Sequence, residues 1–126
     1  MKINFWCGRQ VLDGFYNVDA VLHPKASRYP ELLHVVEFDP LGAVRNPLPL
    51  ADGCAELLQA MHAIEHVTEW QAPHLLAEFH RLLAPGGTLV LELPNIEAAA
   101  RNLLAGRPPQ MSMFAFYGDG SHRDPY

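Results

Sequence analysis

Short apolar segments alternate with helical ones along this chain, and that alternation constrains its fold more than any other feature. "KINFW" (2–6) opens almost at the first residue, and "FYNVD" (15–19) and "ELLHVVEFD" (31–39) each end on an aspartate. "TLVLELP" (88–94) is the strongest strand pattern of all. These runs carry the aromatic and β-branched residues that suit a pleated surface. Between 73 and 83 the apolar residues Leu75, Leu76, Phe79, Leu82 and Leu83 recur at steps of three and four, the signature of an amphipathic helix. "PGG" (85–87) is expected to stop that helix in the manner of a C-terminal glycine, and a second helix is expected from 96 to 104, ending at Gly106. Strands interleaved with helices predict a mainly parallel sheet covered on both faces. Ligands in such sheets bind beyond the carboxyl ends of the strands, which directs attention to the residues there.

The 126 residues fit one domain with one modest core, expected at 1–106, followed by a proline-containing tail at 107–126. Apolar residues make up 49% and charged residues 18%, which excludes a disordered chain. The net charge of −5 argues against a nucleic-acid partner, which would need a basic face. No apolar run approaches the length of a membrane span, and no basic-then-apolar leader opens the sequence. Cys7 and Cys54 lack framework spacing and read as reduced thiols, which fits a cytoplasmic setting.

Three residues at expected strand ends can serve a nucleotide-like ligand. Gly8, after the first strand, lets backbone approach a ligand closely because it has no Cβ. Asp19, closing the second strand, offers two carboxylate oxygens to the two hydroxyls of a ribose. Asp39, closing the third, can accept from an adenine amino group. Each aspartate is equally a turn former or helix cap when taken singly, and the pair at consecutive strand ends is the stronger observation. A separate pattern, "HAIEH" (62–66), matches the H-x-x-E-H signature of inverted zinc peptidases. That reading needs His62 and His66 on one helix, Glu65 as general base and a third ligand such as Glu69 or Glu78.

Three longer stretches resemble the class I S-adenosylmethionine-dependent methyltransferases, in particular small enzymes of the methyltransferase type 11 kind. They are "INFWCGRQVLDGFYNVD" (3–19), "NPLPLADGCAELLQAMHAIEHV" (46–67) and "EFHRLLAPGGTLVLELPN" (78–95). The resemblance spans residues 2–104, and the PGG–strand–PN block preceded by a helix and "IEH" is its most specific part. It implies an α/β, Rossmann-like fold with about five strands in the order 3-2-1-4-5 and S-adenosylmethionine, the methyl donor, lying across the carboxyl edge. It also implies that "CAELLQAM" (54–61) is the fourth strand, although Ala, Leu, Gln and Met favour a helix by composition.

The resemblance further implies roles residue by residue. Trp6, Cys7 and Gly8 form the donor loop, with Gly8 lining the methionine moiety. Asp19 binds the ribose hydroxyls and Asp39 faces the adenine. Met61 and His62 border the sulfonium and the acceptor, "IEH" opens the following helix, and His62 or His66 is the candidate base for a hydroxyl or amine acceptor. On this reading "HAIEH" is a strand end and helix start, and no metal is expected.

Three departures stand out. The family's first glycine in its "GCG" motif is Trp6 here, and a connection of residues 7–14 leaves room only for an extended loop between the first two strands. The C-terminal hairpin strands of the family also have no counterpart in the residues after Leu104, so the chain reads as C-terminally truncated, with an exposed fifth-strand edge that invites a homodimer. The function expected is methyl transfer from S-adenosylmethionine to a small-molecule or intracellular acceptor. The alternative is a degenerate, non-catalytic methyltransferase-like domain that serves as a binding module.

Overall fold

The computed structural model describes residues 1–8, 10–19, 33–35 and 47–107, with 33–35 described as backbone only. The chain divides into two compact units, Met1–Leu93 and Pro94–Tyr126. The first unit carries strands β1 (Lys2–Phe5), β2 (Tyr16–Asp19), β3 (Leu33–Val35), β4 (Ala55–Met61) and β5 (Leu83–Glu92), with helix α1 (Ala72–Leu82) between β4 and β5. The second carries helix α2 (Ile96–Leu104). The five strands lie in the order β3-β2-β1-β4-β5, and every neighbouring pair is parallel. This is the α/β, Rossmann-like sheet that the sequence implied, with β1 at its centre. Among the described residues no helix is long and apolar enough to cross a membrane.

Strand alternation assigns the two faces of the sheet separate jobs. Ile3 and Phe5 of β1, Val18 of β2, and Leu58 and Ala60 of β4 point to one face, where Leu75, Phe79 and Leu82 of α1 complete a buried cluster. Phe5 and Phe79 meet edge to face at 4.9 Å across this layer. Burying a Phe ring of this kind is worth about 2–3 kcal/mol, and its edge-on contact adds about 1 kcal/mol.

The opposite face is polar at the sheet centre. Asn4 of β1 sits in register with Asn17 of β2 on one side and Gln59 of β4 on the other. Asn4 Nδ2 donates to Asn17 Oδ1 at 2.9 Å, and Gln59 Nε2 donates to Asn4 Oδ1 at 3.1 Å. The same amides hold the connection between β1 and β2. Asn4 Nδ2 donates to the Gln10 carbonyl, Asn17 Oδ1 accepts the Leu12 N–H, and Asn17 Nδ2 donates to the Leu12 and Phe15 carbonyls. A short non-helical connection carries backbone polar groups that no helix satisfies, and the amide row supplies their partners.

β4 forms despite its helix-favouring composition, because each of its residues from Leu57 to Met61 gains a parallel partner in β5 and its central three pair with β1 as well. Tertiary pairing overrides a weak local preference. Two expected boundaries change. α1 is not ended by the P-G-G glycines: its capping residue is Leu83, extended at φ −72° and ψ 130°, whose N–H returns to the Phe79 carbonyl. P-G-G instead sits in an irregularity inside β5, between the Ala55–Leu83 and Leu57–Thr88 pairs, with Gly86 at φ +79°. A Cβ at Gly87 would stand 2.8 Å from the Ala55 carbonyl oxygen, so only glycine fits that close approach.

A buried acid fixes the amino side of the sheet. Glu78 of α1, 4% exposed, accepts the Leu48 N–H at 2.9 Å and a two-pronged grip from Arg81 through Nε and Nη2. Arg81 then reaches the carbonyls of Leu48 and Leu50 and the carboxylate of Asp52. Its guanidinium is driven further above its ordinary pKa, first by the hydrogen bond to Glu78. This staple ties the approach to β4 onto α1. In the second unit, Asn95 caps α2 by accepting the Ala98 N–H, and Gly106 closes the helix at φ +66°, where the sequence placed its end.

Candidate functional site

The candidate residues gather where β1, β2, β4 and β5 reach their carboxyl ends. The chain leaves β1 through Trp6 at φ +47° and Gly8 at φ +54°. A left-handed conformation is natural for glycine and costs an ordinary residue about 1–2 kcal/mol. Trp6 therefore keeps the backbone turn of a glycine while carrying the largest side chain. Its indole is partly buried, 5.0 Å from the Phe5 ring and packed against the core cluster, and its Nε1–H is buried with no hydrogen-bond partner. The ring thus turns at least in part toward the sheet packing.

The next two residues are tied to β2. The Cys7 N–H donates to the Val18 carbonyl at 3.1 Å, and the Gly8 N–H donates to Asp19 Oδ2 at 2.6 Å. Asp19 is only 6% exposed. Among the described residues, a Cβ at Gly8 would meet nothing within 4 Å. The Cys7 thiol is pushed up to about 11, first by burial and second by the Asp19 charge beside it. It is therefore a neutral thiol at physiological pH and not a nucleophile.

β1 runs parallel to β4 with Asn4 level with Gln59, so both strands deliver their carboxyl ends to the same edge. Met61 is partly buried and pairs with Glu92 at the end of β5. His62 follows at φ +53°, and its N–H continues the ladder by donating to the Glu92 carbonyl at 2.9 Å. The imidazole lies between two carboxylates: Nδ1 is 3.0 Å from Glu65 Oε1 and Nε2 is 3.1 Å from Glu92 Oε1.

The structure brings Trp6, Cys7, Gly8 and Asp19 together at one point of the edge, and Met61 and His62 on the adjoining strand. His66 closes a separate 3-10 turn, Ile64–His66, and is exposed. That turn corrects the expectation that "IEH" opens the next helix, because residues 67–71 separate it from α1. It also removes the helix that the zinc-peptidase reading needs to put His62 and His66 on one face. Among the described residues no group of three His, Cys, Asp or Glu side chains is placed to hold a metal ion. Asp39 lies outside the described residues.

Glu92 was not among the residues singled out from sequence, although an acid closing a strand was the signal used for Asp19. Its pairing with His62 depends on the β4–β5 register, which no local pattern discloses. Glu65 was considered only as a metal-site base.

A family model described as a methyltransferase domain matches residues 16–91, more than half of the chain. The match begins within the second strand of the sheet, so the loop carrying Trp6 and Gly8 precedes it. No curated protein and no solved structure matches the chain.

Proposed function

From the premise that this chain belongs to the class I S-adenosylmethionine-dependent methyltransferases, we propose that it transfers a methyl group to a small-molecule or intracellular acceptor at the carboxyl edge of its sheet. The observation that carries this reading is the Gly8 N–H held on the buried Asp19 carboxylate. It sets a backbone N–H and an acid together at the first two strand ends, the edge where nucleotide-like ligands bind in parallel sheets.

When bound, S-adenosylmethionine supplies a methyl group already activated by a positive sulfur. The chain's own part is alignment. Asp19 holds the ribose hydroxyls, the Trp6–Cys7–Gly8 loop borders the methionine arm, and Met61 and His62 border the methyl group and acceptor. Fixing two reactants in line removes much of the entropic barrier to their meeting. His62, with His66 as the second candidate, takes the proton of a hydroxyl or amine acceptor. Among the described residues β5 is an outermost strand of the sheet, and its outer edge is the surface through which two copies would pair; a concentration-independent monomer in light scattering overturns that part of the reading.

Trp6 favours a second reading, a methyltransferase frame that binds a partner and does not catalyse. An indole stands at the family's first glycine, with its N–H buried and unpartnered. Calorimetric titration with S-adenosylhomocysteine separates the two readings. Micromolar binding by the native chain, lost in Asp19→Asn, supports the enzyme. Silence from the native chain with binding by Trp6→Gly supports the closed frame.

A further inference from the structure

Glu65 and Glu92 add a second layer to the His62 assignment, and the inference rests on the methyltransferase reading above. Each carboxylate lies within hydrogen-bond distance of a different ring nitrogen of His62. A neutral imidazole carries one N–H, and Nδ1–H to Glu65 is the contact with hydrogen-bond geometry, whereas Glu92 stands 3.1 Å from Nε2 as an ion-pair partner for the protonated ring. The arrangement is therefore complementary to the ring after it has gained a proton. Two backbone features aim it. His62 sits at φ +53°, which turns its side chain out of strand alternation, and its N–H is locked to the Glu92 carbonyl at 2.9 Å. A non-glycine residue held in that region is over-determined by its surroundings.

The two acids differ in freedom. The Glu65 side chain is 22% exposed and sits three residues along on the Ile64–His66 turn, whereas that of Glu92 is 53% exposed at the end of β5. Glu65 is hydrogen-bonded to Nδ1, and Glu92, beside Nε2, has the more exposed side chain.

We infer that Glu65 and Glu92 are positioning residues for His62, and that the site is built for an acceptor bearing a hydroxyl or amine proton. Glu65 accepts from Nδ1–H, which leaves the Nε2 lone pair for the acceptor's proton, and Glu92, 3.1 Å from Nε2, faces the charge that forms there. In the transfer, the acceptor heteroatom's lone pair forms the new bond to the methyl carbon. The sulfur–methyl bond breaks with its electron pair returning to sulfur, and the acceptor's proton passes to Nε2. The products are the methylated acceptor, S-adenosylhomocysteine and an imidazolium whose charge faces the carboxylates.

Carbethoxylation by diethyl pyrocarbonate at fixed pH tests the arrangement without an acceptor, because the reagent attacks an uncovered imidazole nitrogen. Modification is followed by peptide mass spectrometry at His62, with exposed His80 of α1 as the internal reference. In the native chain His62 is expected to react several-fold more slowly than His80. In Glu92→Gln its rate is expected to rise about fivefold, the scale of one ion pair at a half-exposed site, with His80 unchanged. Glu92 is a half-exposed side chain, so this variant keeps its fold. A native His62 as reactive as His80, or a rate untouched in Glu92→Gln, overturns the inference. Titration of the same samples with S-adenosylhomocysteine keeps the two ideas apart. Donor binding without a Glu92 effect overturns the positioning role alone, and a Glu92 effect without donor binding supports the trio and overturns the enzyme reading.

Discussion

Replacing Trp6 by glycine and by alanine isolates the backbone of the donor loop from its side chain. Both substitutions remove the indole, its contact with Phe5 and its unpartnered N–H, so those contributions cancel in the comparison. What remains is the residue's φ of +47°. Alanine keeps a Cβ in the left-handed region, at about 1–2 kcal/mol. Glycine is relieved of that strain but loses about 0.4–1 kcal/mol through the greater freedom of its unfolded chain. The balance favours Trp6→Gly over Trp6→Ala by about 0.5–1 kcal/mol. A domain of this length shifts by about 4 °C per kcal/mol, so the expected gap in Tm is about 2–4 °C. Thermal unfolding by circular dichroism reads it directly. An alanine variant equal to or more stable than the glycine variant refutes the reasoning: the turn after β1 would not be left-handed, and the account of Trp6 as a side chain placed on a glycine's backbone would fall.

Glu78→Ala takes from Arg81 its buried carboxylate partner, leaving exposed Asp52, and leaves the Leu48 N–H without its acceptor; it is expected to cost about 3 kcal/mol, or about 12 °C in Tm. Asp52→Asn, at the exposed end of the same network, is expected to cost under about 0.5 kcal/mol, and equal losses in the two variants would contradict the burial argument. Asn17→Ala removes the partners of the Leu12 N–H and of the Leu12 and Phe15 carbonyls, at about 2–3 kcal/mol, with faster hydrogen exchange at residues 10–15 than at β4 and β5. Uniform loss of protection would show that the amide row is not specific to that connection. For Cys7 the raised pKa disfavours the thiolate, so alkylation at pH 8 is expected at Cys54 and not at Cys7. The same shift sets a stability trend. The contribution is complete below the ordinary value of 9.0 and is lost as pH rises through about 11, and a denaturant midpoint that rises between pH 9 and 11 would contradict it.

Much of the architecture is written locally. The period of α1, the close of α2 at Gly106, and the aspartate closing β2 are consequences of side-chain spacing and backbone preference within a few residues, and are legible as such. β4 is not. Its Ala-Leu-Gln-Met composition points to a helix, and only its kinship to a known pattern identified it as a strand. In the folded chain, parallel partners on both sides decide the matter. The P-G-G segment likewise reads as a helix stop but serves a close approach to β4, because the carbonyl that excludes a Cβ at Gly87 comes from a residue 32 positions earlier.

The candidate site divides in the same way. Gly8 and Asp19 were visible because each residue type suits its strand end. Their mutual hydrogen bond, the folding of Trp6 onto Phe5 and the enclosure of His62 by Glu65 and Glu92 required the sheet to set which residues stand level. A sequence specifies chemical groups and local conformational cost; distances between groups on different strands follow from register, and register is a property of the assembled sheet.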